Sequence, residues 1–477
     1  MTKYVIQNSV KNITSDSRQV QAGSLFLAYP GDKADGRSYI DDAIKNGAVA
    51  ILWEPKDFSW RPHWKIENTP IKNLRQQVGR IADQFYGKPS AKLWTIGVTG
   101  TNGKTSITQW LSQCFNFLSR RTAVIGTLGN GLPNQLSPTQ NTTPDAVVLQ
   151  SMLADFVHKN VEIVAMEVSS HGLDQGRVNG VHFDVAVLSN LTRDHLDYHG
   201  SHEKYAAAKR RLFVSSDLKL AVLNIDDDFG KRMEQELTRL GIATMTYGIE
   251  SGDIRASKIH FESNYFSFLV NTPHGQAEVK ANLLGMFNVY NVLAVLATLL
   301  VSKVSLADAV KAIAHIESAS GRMQQLGGDG VPLVVVDYAH TPDALKNVLS
   351  TLKVHTNSKL VCVFGCGGNR DAGKRVLMGK VASSLADAVV VTSDNPRNEN
   401  PLHIMQEILG GMHGNYAVEE DRAKAIAMAI STAKPGDTVL IAGKGHEDYQ
   451  EIAGEKQPFS DVAHAQKALK RYAGSIL

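Results

Sequence analysis

Hydrophobic residues follow two patterns along this chain: short apolar runs that predict buried strands, and three-to-four-residue repeats that predict helices. In the first part of the chain, residues 25–29 and 48–53 are apolar runs, and residues 39–45 between them have amphipathic spacing. Residues 74–85 repeat at helical spacing and are followed by a glycine and a proline, which are stop signals. We therefore predict a first, small domain that ends near residue 88.

The middle of the chain has a longer alternation of the two patterns. An apolar run at 93–98 ends in a glycine-rich turn, after which helical spacing extends over 107–118. Residues 255–284 have the pattern of antiparallel ribbons, and residues 288–302 that of a buried helix. Alternating strands and helices are typical of a parallel sheet covered on both faces. The further strands predicted in this sheet are 123–127, 163–168, 185–189 and 221–225.

The alternation restarts after Gly321 and predicts a C-terminal domain of Rossmann type. Each apolar run in this part is followed by a loop and a helical segment. We therefore predict an α/β protein of three domains, at residues 1–88, 89–320 and 321–477. The strands predicted in the third domain are 333–337, 360–364, 388–392 and 438–442.

Composition narrows the class of protein. The 477 residues are 43% hydrophobic and 20% charged, which is ordinary for a folded chain, and the formal net charge of +3 without a basic run argues against a nucleic-acid partner. The three cysteines match neither a disulfide framework nor a zinc site. The N-terminus lacks a signal-peptide core, and the longest apolar run, 292–301, is far shorter than the ~18 residues of a membrane span. We expect a cytoplasmic protein with no membrane span.

Residues 100–106 have the pattern of a phosphate-binding loop, since they connect a predicted strand to a predicted helix. At such a junction the backbone NH groups and the positive end of the helix face the same point. Glycine allows the backbone to approach phosphate oxygens, Lys104 supplies a cation, and the Thr105 hydroxyl is suited to magnesium. The full pattern would have glycine at position 98, which is Val98 here. The alternative is an ordinary glycine turn.

A magnesium ion at this loop needs further oxygen or nitrogen ligands. Glu167 ends a predicted strand, although a glutamate in that position is often only a surface charge. His195 and His199 have the spacing of a zinc-protease helix, but Leu196 stands where that motif needs its glutamate, so we reject a zinc protease. No Gly-x-Ser-x-Gly motif occurs either. The chemistry is therefore predicted to depend on the nucleotide.

Six motifs in order along the chain resemble those of the ATP-dependent Mur ligases of bacterial cell-wall synthesis. Within that family the chain is similar to the members that add the third peptide residue to UDP-N-acetylmuramoyl-L-alanyl-D-glutamate. The resemblance implies an N-terminal domain for the uridine nucleotide, a central P-loop ATPase domain and a C-terminal domain for the amino acid. The motifs are TGTNGKTS (99–106), EVSSH (167–171), NLTRDHLDYHG (190–200), DYAHTP (337–342), GCGGNRD (365–371) and DNPR (394–397).

The resemblance also implies the chemistry. ATP phosphorylates the D-glutamyl side-chain carboxylate, and an amine then displaces phosphate from the acyl phosphate, so that no protein nucleophile is needed. It implies catalytic roles for Lys104, Glu167, His195 and Lys209, and magnesium ligation by Thr105, Glu167, His195 and Lys209 as a carbamate, N6-carboxylysine. On composition alone Lys209 would be a solvated lysine on a helix.

The same resemblance assigns binding residues, several of which have a simpler structural explanation. The segment 15–18 could be only a surface turn, Thr143 only a helix N-cap, and Asn288 only a buried helical asparagine with its hydrogen bonds satisfied. ATP is assigned to Gly100, Thr101, Asn102, Gly103, Lys104, Thr105, Ser106, Asn288, Arg322, Asp337 and His340. UDP-MurNAc-L-Ala-D-Glu is assigned to Ser15, Ser17, Asp32, Lys33, Ala34, Asn141, Thr142, Thr143, Ser169, Gln175 and Arg177.

The incoming amino acid is either meso-diaminopimelate or lysine, which lacks the distal carboxylate. Arginine offers a two-pronged donor for that carboxylate, and the DNPR form with Arg397 resembles the meso-diaminopimelate type. Asn400 replaces a commoner acidic residue nearby, and Arg397 could be only a solvated loop charge. The implied pocket is Arg370, Asp394, Asn395, Pro396, Arg397, Gly443 and Glu447, with Glu447 suited to the distal ammonium.

Two other functions stay open on the residues alone. Folylpolyglutamate synthetase has a similar phosphate loop, but the uridine-type segment and DNPR argue against it. A nucleotide-switched binding protein would hydrolyse ATP without ligating anything, and it would not need an amino-acid pocket. The glycines of 365–368 do not make a dinucleotide site, since Arg370 stands where a third glycine would be. We expect an enzyme of small-molecule substrates that acts as a monomer.

Overall fold

The computed structural model describes residues 10–32, 34–139, 141–192, 194–215, 217–262, 265–328, 330–356 and 358–476. These residues form two compact units. The first contains the chain up to residue 255 together with 272–274 and 293–312, and the second contains 256–271, 275–292 and 313 onward.

The first unit begins with a four-stranded parallel sheet in the order β1-β2-β3-β4. Its apolar faces are covered by two helices, because Ile40 and Ala43 of α1 and Leu74, Val78 and Ile81 of α2 are fully or almost fully buried. The elements are β1 (Asn12–Thr14), β2 (Ser24–Ala28), α1 (Ile40–Lys45), β3 (Ala48–Trp53), β4 (Glu67–Pro70) and α2 (Leu74–Phe85).

A larger sheet follows in the same unit, in the order β12-β11-β10-β5-β9-β6-β7-β8. Its pairs are parallel from β12 to β6, and β7 and β8 add an antiparallel edge. Its elements are β5 (Trp94–Thr99), α3 (Lys104–Phe117), β6 (Thr122–Gly126), β7 (Gly129–Leu132), β8 (Gln135–Ser137), α4 (Ala146–His158), β9 (Ile163–Glu167), α5 (Ser170–Asp174), β10 (Val185–Leu188), α6 (Leu196–His199), α7 (His202–Phe213), β11 (Leu220–Asn224), α8 (Asp228–Arg239) and β12 (Ala243–Gly248).

The position of β5 between β9 and β10 determines where the chemistry lies. In a parallel sheet the carboxyl ends of neighbouring strands meet at one edge. The loops that follow Thr99, Glu167 and Leu188 therefore open at the same edge. Three of the quoted motifs begin at these strand ends.

The second unit contains a six-stranded sheet in the order β16-β17-β21-β18-β19-β20. Its pairs are parallel except β16 with β17. The elements from residue 254 onward are β13 (Ile254–Phe261), β14 (Phe266–Thr272), β15 (Gly275–Ala281), α9 (Met286–Val301), α10 (Leu306–Ile313), β16 (Gln324–Gly327), β17 (Leu333–Asp337), α11 (Pro342–His355), β18 (Leu360–Phe364), α12 (Gly373–Leu385), β19 (Ala388–Val391), α13 (Pro401–Leu409), β20 (Tyr416–Val418), α14 (Arg422–Thr432), β21 (Thr438–Ala442), β22 (Tyr449–Ile452), β23 (Glu455–Pro458) and α15 (Asp461–Ile476).

Helices cover both faces of this six-stranded sheet. One apolar cluster joins the sheet to α11, α12 and α13, and a second joins its other face to α14 and α15. Successive residues of one strand belong to different clusters, as Val335 and Val336 of β17 do. This alternation is what a strand buried on both faces produces, and it accounts for the uninterrupted apolar runs in the sequence.

The predicted α/β class with mostly parallel sheets is confirmed. The longer apolar runs are strands within one or two residues of the predicted bounds, and 48–53, 333–337, 360–364 and 438–442 match without a shift. The strands β1, β4, β7, β8, β12, β16, β20, β22 and β23 were not predicted. All of them except β12 have only three or four residues, which is too short for a clear pattern, and most lie at sheet edges or in a hairpin. Within the described ranges, no helix combines the length and apolar character that crossing a bilayer requires.

Candidate active site

The phosphate-type loop lies between β5 and α3 and depends on its glycines. Gly100 has φ +150° and Gly103 has φ +86°, a region of backbone conformation that side chains disfavour. A Cβ at Gly100 would lie 1.9 Å from Ser189 Oγ. Asn190 holds the turn, because its carbonyl accepts from Thr101 N at 2.9 Å and its side-chain oxygen accepts from Asn102 N at 3.0 Å. The glycines that the sequence places in this loop therefore allow its backbone to pack against the segment that follows β10, the neighbour of β5 in the sheet.

Val98 lies in the strand rather than in the loop. It is fully buried, and its carbonyl accepts from Val168 N at 2.8 Å. The departure from the longer phosphate-loop pattern therefore falls at a position that belongs to the sheet.

Two lysines meet at one carbonyl of the loop. Lys104 Nζ donates to Gly100 O at 2.8 Å and to Thr101 O at 2.9 Å, while Lys209 Nζ donates to the same Gly100 O at 2.8 Å. These residues are 105 positions apart in the sequence, and only the packing of α7 against the loop joins them. The loop therefore has two amine groups beside it.

Lys209 is in an unusual environment for an ammonium. Its side chain is 1% exposed, and burial lowers the pKa of its amine well below the ordinary value. The charge of Lys104 lowers this pKa further, while Asp194 opposes the shift. The interpretation of Lys209 as a solvated helix lysine is wrong, because the face of α7 that carries it packs inward.

Glu167 lies directly beside Thr105, as the metal hypothesis requires. Its carboxylate accepts from Thr105 Oγ1 at 3.0 Å, from Thr127 N at 2.8 Å and from Thr127 Oγ1 at 3.2 Å. It is 1% exposed, and no described lysine, arginine or histidine forms an ion pair with it. A buried carboxylate without a cationic side-chain partner is the kind of group that coordinates a metal ion. The alternative of a surface charge is wrong.

The oxygen donors at this position fit magnesium, which prefers carboxylate and hydroxyl oxygens. Among the described residues no group of three or more histidine, cysteine, aspartate and glutamate side chains forms a metal site by itself. A magnesium site here would therefore need the Thr105 hydroxyl, phosphate oxygens or water in addition to Glu167.

His195 belongs to a ring cluster beside α7. Its ring lies 4.8 Å from that of His171 and 6.1 Å from that of Tyr205, centroid to centroid, and its side chain is half exposed. His199 is buried, and its Nε2 has no hydrogen-bond partner among the described residues. Burial lowers the pKa of His199 below its ordinary value. His171 was missed as a site residue although it ends one of the quoted motifs.

A polar network links the loop at Asp32 to the segment that follows α5. Arg75 donates to both carboxylate oxygens of Asp32, at 2.6 and 2.9 Å, and Gln175 Nε2 donates to Asp32 Oδ2 at 2.7 Å. Arg177 then donates to Gln175 Oε1 at 2.8 Å and to Thr143 O at 2.7 Å. Asp32 is thus connected to Gln175, Arg177 and Thr143, which the resemblance assigns to the same substrate. Arg75, which also bonds to Asp32, was not among the predicted site residues.

The remaining residues assigned to this substrate that the structure describes lie outside the strands and α-helices. The segment 15–18 is a surface turn in which Asp16 caps a short 3-10 helix and pairs with Arg18, as the structural alternative predicted. Ala34 O accepts from Gly31 N at 2.8 Å. Asn141 N donates to Thr139 Oγ1, and Thr142 Oγ1 lies 3.1 Å from Thr127 Oγ1. Lys33 lies outside the described residues.

Thr143 does not cap a helix. Asp145 is the N-cap of α4, and the helix begins at Ala146. Thr143 Oγ1 instead donates to Glu167 O at 2.9 Å and accepts from Ser169 N at 2.9 Å. The N-cap alternative is therefore wrong, and the threonine joins its loop to the end of β9.

In the second unit, three of the residues assigned to adenine and ribose, Arg322, Asp337 and His340, lie at the end of β17. Asp337 is buried and accepts from Met323 N and Ala339 N, both at 2.8 Å. Burial raises the pKa of this carboxyl, and Arg322 opposes that shift. The Arg322 guanidinium lies 4.6 Å from the ring centroid of Tyr338. Burial lowers the pKa of His340, whose Nδ1 lies 2.8 Å from Tyr338 O.

Asn288 has its hydrogen bonds satisfied within its own helix region. Its side-chain NH2 donates to Leu284 O at 2.8 Å, and its oxygen accepts from Asn291 Nδ2 at 3.0 Å. This is the structural alternative considered for a buried helical asparagine. A nucleotide contact at Asn288 would have to replace or share these bonds.

The residues assigned to the incoming amino acid lie on loops that follow β18, β19 and β21. Arg397 is half buried and pairs with Glu451, so the alternative of a solvated loop charge is wrong. Glu447 Oε2 accepts from Asn395 Nδ2 at 2.8 Å and from Lys444 Nζ at 3.1 Å. Arg370 is exposed, and a Cβ at Gly443 would lie 2.5 Å from Asp394 Oδ2.

Two buried cations organise these loops and were not predicted. Lys444 is fully buried and also donates to Asn395 Oδ1 at 2.9 Å. Arg422 forms a two-pronged pair with Asp461, both bonds being 2.8 Å, and donates to Ser393 O and Ala442 O. Lys444 adjoins the predicted Gly443, but nothing in the local sequence around Arg422 reveals its distant partners. The glycines of 367–368 serve this packing, since a Cβ at Gly368 would lie 2.0 Å from Pro396 O.

Three family models match successive stretches of the chain. The Mur ligase family catalytic domain matches residues 9–86, the Mur ligase middle domain matches 98–299, and the Mur ligase glutamate ligase domain matches 321–445. The chain belongs to the Mur ligase family. The family resemblance deduced from the six motifs is confirmed.

Individual relatives agree with the family models over nearly the whole chain. A protein from Chromobacterium violaceum named UDP-N-acetylmuramoyl-L-alanyl-D-glutamate--2,6-diaminopimelate ligase is 49% identical over 464 residues, which are 96% of this chain and 94% of that protein. A solved structure of a ligase of the same name has a TM-score of 0.75 at 37% identity, covering 97% of this chain and 95% of its own. A MurF ligase from Thermotoga maritima in complex with ADP has a TM-score of 0.68 at 20% identity, covering 99% of this chain and 100% of its own, which shows the fold alone.

The contact between Gly126 and Glu167 leads to a prediction for this Mur ligase. A Cβ at Gly126 would lie 2.3 Å from Glu167 Oε1, so Gly126→Ala should push the carboxylate away from Thr105. We expect ATP-dependent activity to fall about 10- to 100-fold while the circular dichroism spectrum is retained, because a small displacement of a positioned group is costly. Gly474→Ala, which meets nothing within 4 Å, is the control. Wild-type activity of Gly126→Ala would show that Glu167 need not be where the structure has it.

Proposed function

We propose that this Mur ligase adds meso-2,6-diaminopimelate to UDP-N-acetylmuramoyl-L-alanyl-D-glutamate at the expense of ATP, as a step of peptidoglycan precursor synthesis in the cytoplasm. The observation that carries the proposal is the 49% identity, over 96% of the chain, with a relative named for that reaction. The local geometry supports it, because a phosphate-type loop and an amino-acid pocket with an arginine and a glutamate occur in the same chain.

We further propose a division of labour along the chain. Residues 1–88 bind the uridine part of the substrate, residues 89–320 bind ATP, and residues 321–477 bind the amino acid, with Asn288, Arg322, Asp337 and His340 contacting adenine and ribose. The β- and γ-phosphates lie against residues 100–106, where α3 begins and Lys104 supplies positive charge. We also propose that the protein acts as a monomer.

The reaction then has two balanced steps. An oxygen of the D-glutamyl side-chain carboxylate attacks the γ-phosphorus, and the bond to the bridging oxygen breaks, which releases ADP and leaves an acyl phosphate. The amine nitrogen of the amino acid attacks the acyl carbon, phosphate leaves with the electron pair of the carbon–oxygen bond, and the nitrogen loses a proton to solvent. Lys104 stabilises charge on the phosphoryl oxygens throughout.

Thr105 and Glu167 are the described residues that would hold magnesium, with His195 and the carbamate of Lys209 as further ligands. Magnesium bound there would neutralise the negative charge that develops on the phosphoryl group. The buried Glu167 carboxylate beside the Thr105 hydroxyl, at 3.0 Å, supports this role.

The substrate carboxylate that becomes phosphorylated is brought to this loop by the sugar-nucleotide peptide site. Asn141, Thr142, Thr143, Ser169, Gln175 and Arg177 would contact the muramoyl peptide, and Ser15, Ser17, Asp32, Lys33 and Ala34 the uridine side. The hydrogen bond from Gln175 to Asp32, at 2.7 Å, supports a single continuous site, because it joins the two groups of residues.

The substrate preference is tested with purified protein by measuring ADP release. We expect release only when ATP, the UDP-muramoyl dipeptide and an amino acid are all present, with meso-diaminopimelate preferred to lysine. Release that needs ATP alone would instead support a nucleotide-switched binding protein. Release with a folate substrate in place of the muramoyl dipeptide would support the folylpolyglutamate alternative.

A substitution at Arg397 tests the assignment of the amino acid. Arg397→Ala should raise the KM for meso-diaminopimelate by the equivalent of about 2 to 4 kcal/mol, because the distal carboxylate loses its ionic partner. The KM values for ATP and for the UDP-muramoyl dipeptide should not change. Arg471→Ala, an exposed arginine on α15, is the matched control. Near-normal use of meso-diaminopimelate by Arg397→Ala would contradict the assignment.

Lys209 is proposed to carry a carbamate. A lowered pKa favours the neutral form of its amine, and it is the neutral amine that reacts with carbon dioxide to form a carbamate and release a proton. We expect a carbamate signal in the nuclear magnetic resonance spectrum after incubation with isotopically labelled carbon dioxide. Lys209→Ala should lose the signal and about 100-fold in rate, since a charged group at the phosphoryl site is removed.

Rescue distinguishes a carbamate from a purely structural lysine. Formate or acetate should restore part of the activity of Lys209→Ala, because either anion replaces the missing carboxylate. The exposed Lys204 on the same helix provides the control, and Lys204→Ala should keep both signal and rate. A fully active enzyme with an unmodified Lys209 would exclude the proposal.

A further inference from the structure

The β22–β23 hairpin holds Arg397 through its main chain. Arg397 N donates to Glu451 O at 2.9 Å, and Arg397 O accepts from Ala453 N at 2.7 Å, which pairs Arg397 with Ile452 as an isolated parallel bridge. Arg397 has φ +52°, a left-handed conformation that residues with a Cβ rarely adopt. The two main-chain bonds from the hairpin therefore stabilise a conformation that the residue would otherwise avoid.

The Arg397 side chain is fixed from two sides as well. Its Nε donates to Glu451 Oε2 at 3.1 Å, and its Nη1 donates to Gly368 O at 2.9 Å. A Cβ at Gly367 would lie 2.9 Å from Nη1, so the glycine leaves the room that the guanidinium occupies. Because both ends of the planar guanidinium are bonded, its orientation is set before any substrate is bound.

Glu451 of the hairpin is also connected to Glu447, another charged residue of the proposed pocket. Glu451 N donates to Asn395 Oδ1 at 2.9 Å, and Asn395 Nδ2 donates to Glu447 Oε2 at 2.8 Å. Lys444 Nζ, which is fully buried, bonds to both Asn395 Oδ1 and Glu447 Oε2. Glu451 thus contacts Arg397 with its side chain and reaches Glu447 through Asn395.

We propose that Glu451 is a positioning residue that orients Arg397 for the distal carboxylate of the amino acid, and so contributes to the selection of diaminopimelate over lysine. This inference rests on the proposed function. Glu451 acts through Arg397 and does not touch the reacting atoms. Since Nε and Nη1 already have partners, the incoming carboxylate would approach the guanidinium from its Nη2 end.

An opposite role for Glu451 makes an opposite prediction. If its carboxylate competed with that of the substrate for Arg397, its removal would lower the KM for diaminopimelate. Positioning requires that removal raises this KM, because a guanidinium free to rotate loses part of its fit to the carboxylate. The sign of the KM change therefore separates the two roles.

The experiment compares Glu451→Ala with Glu451→Gln in the full-length enzyme. We expect Glu451→Ala to raise the KM for meso-diaminopimelate about tenfold, with kcat and the KM for ATP within about twofold of wild type. Its preference for diaminopimelate over lysine should narrow, because lysine has no distal carboxylate for Arg397. Glu451→Gln keeps an acceptor for Nε and should stay within about threefold of wild type. Glu455→Ala, an exposed glutamate of the same hairpin, is the control.

A double-mutant cycle tests whether the effect passes through Arg397. In an Arg397→Ala background, the further substitution Glu451→Ala should not lower kcat/KM for diaminopimelate again. An additive loss, a lowered KM in Glu451→Ala, or a Gln variant as impaired as the Ala variant would each overturn the inference. Wild-type enzyme that fails to ligate diaminopimelate would overturn the proposed function and this inference with it, whereas an active wild type with unchanged Glu451→Ala kinetics would overturn this inference alone.

Discussion

The parallel pairing of β5 with β9 on one side and β10 on the other is the constraint on which the phosphate-type loop of this Mur ligase depends. It brings the phosphate-type loop, Glu167 and Asn190 to one sheet edge. The turn can close there only because Gly100 has no side chain to meet Ser189 Oγ. Once it is closed, Gly100 O becomes the acceptor for two lysines, and the burial of one of them, Lys209, lowers the pKa of its amine well below the ordinary value.

In the loops proposed to bind the amino acid, buried charged groups have a different role. There the loops that follow β18, β19 and β21 are tied together by buried cations: Arg422 bonds to the ends of two strands, and Lys444 bonds to Asn395 and Glu447. Buried ion pairs contribute little net stability, and in some proteins they exclude alternative arrangements when every bond is made. The proposed selection between two amino acids that differ by one carboxylate needs that kind of fixed geometry.

Much of the fold was predictable from local pattern. Strands such as β17 and β21 are buried on both faces, so their sequences are uninterrupted apolar runs, and these were recognised residue by residue. The hairpin β22–β23 was missed because its strands are short and mostly polar and are held by main-chain bonds to Arg397 rather than by an apolar face. Lys209 and Glu167 were found by motif, while their burial was not, because both alternatives considered them solvated.

The sequence by itself determined the family, the order of the longer strands and helices, and the residue types available for phosphate, carboxylate and ammonium groups, because these depend on spacing along the chain. Only the tertiary structure decided which of these groups meet. Lys104 and Lys209 donate to the same carbonyl, Arg422 pairs with Asp461, and Arg397 pairs with Glu451, although the two residues of each pair are far apart in the sequence. The physical reason is that burial and hydrogen bonding are set by strand order and packing between distant segments, and neither leaves a local signal in the sequence.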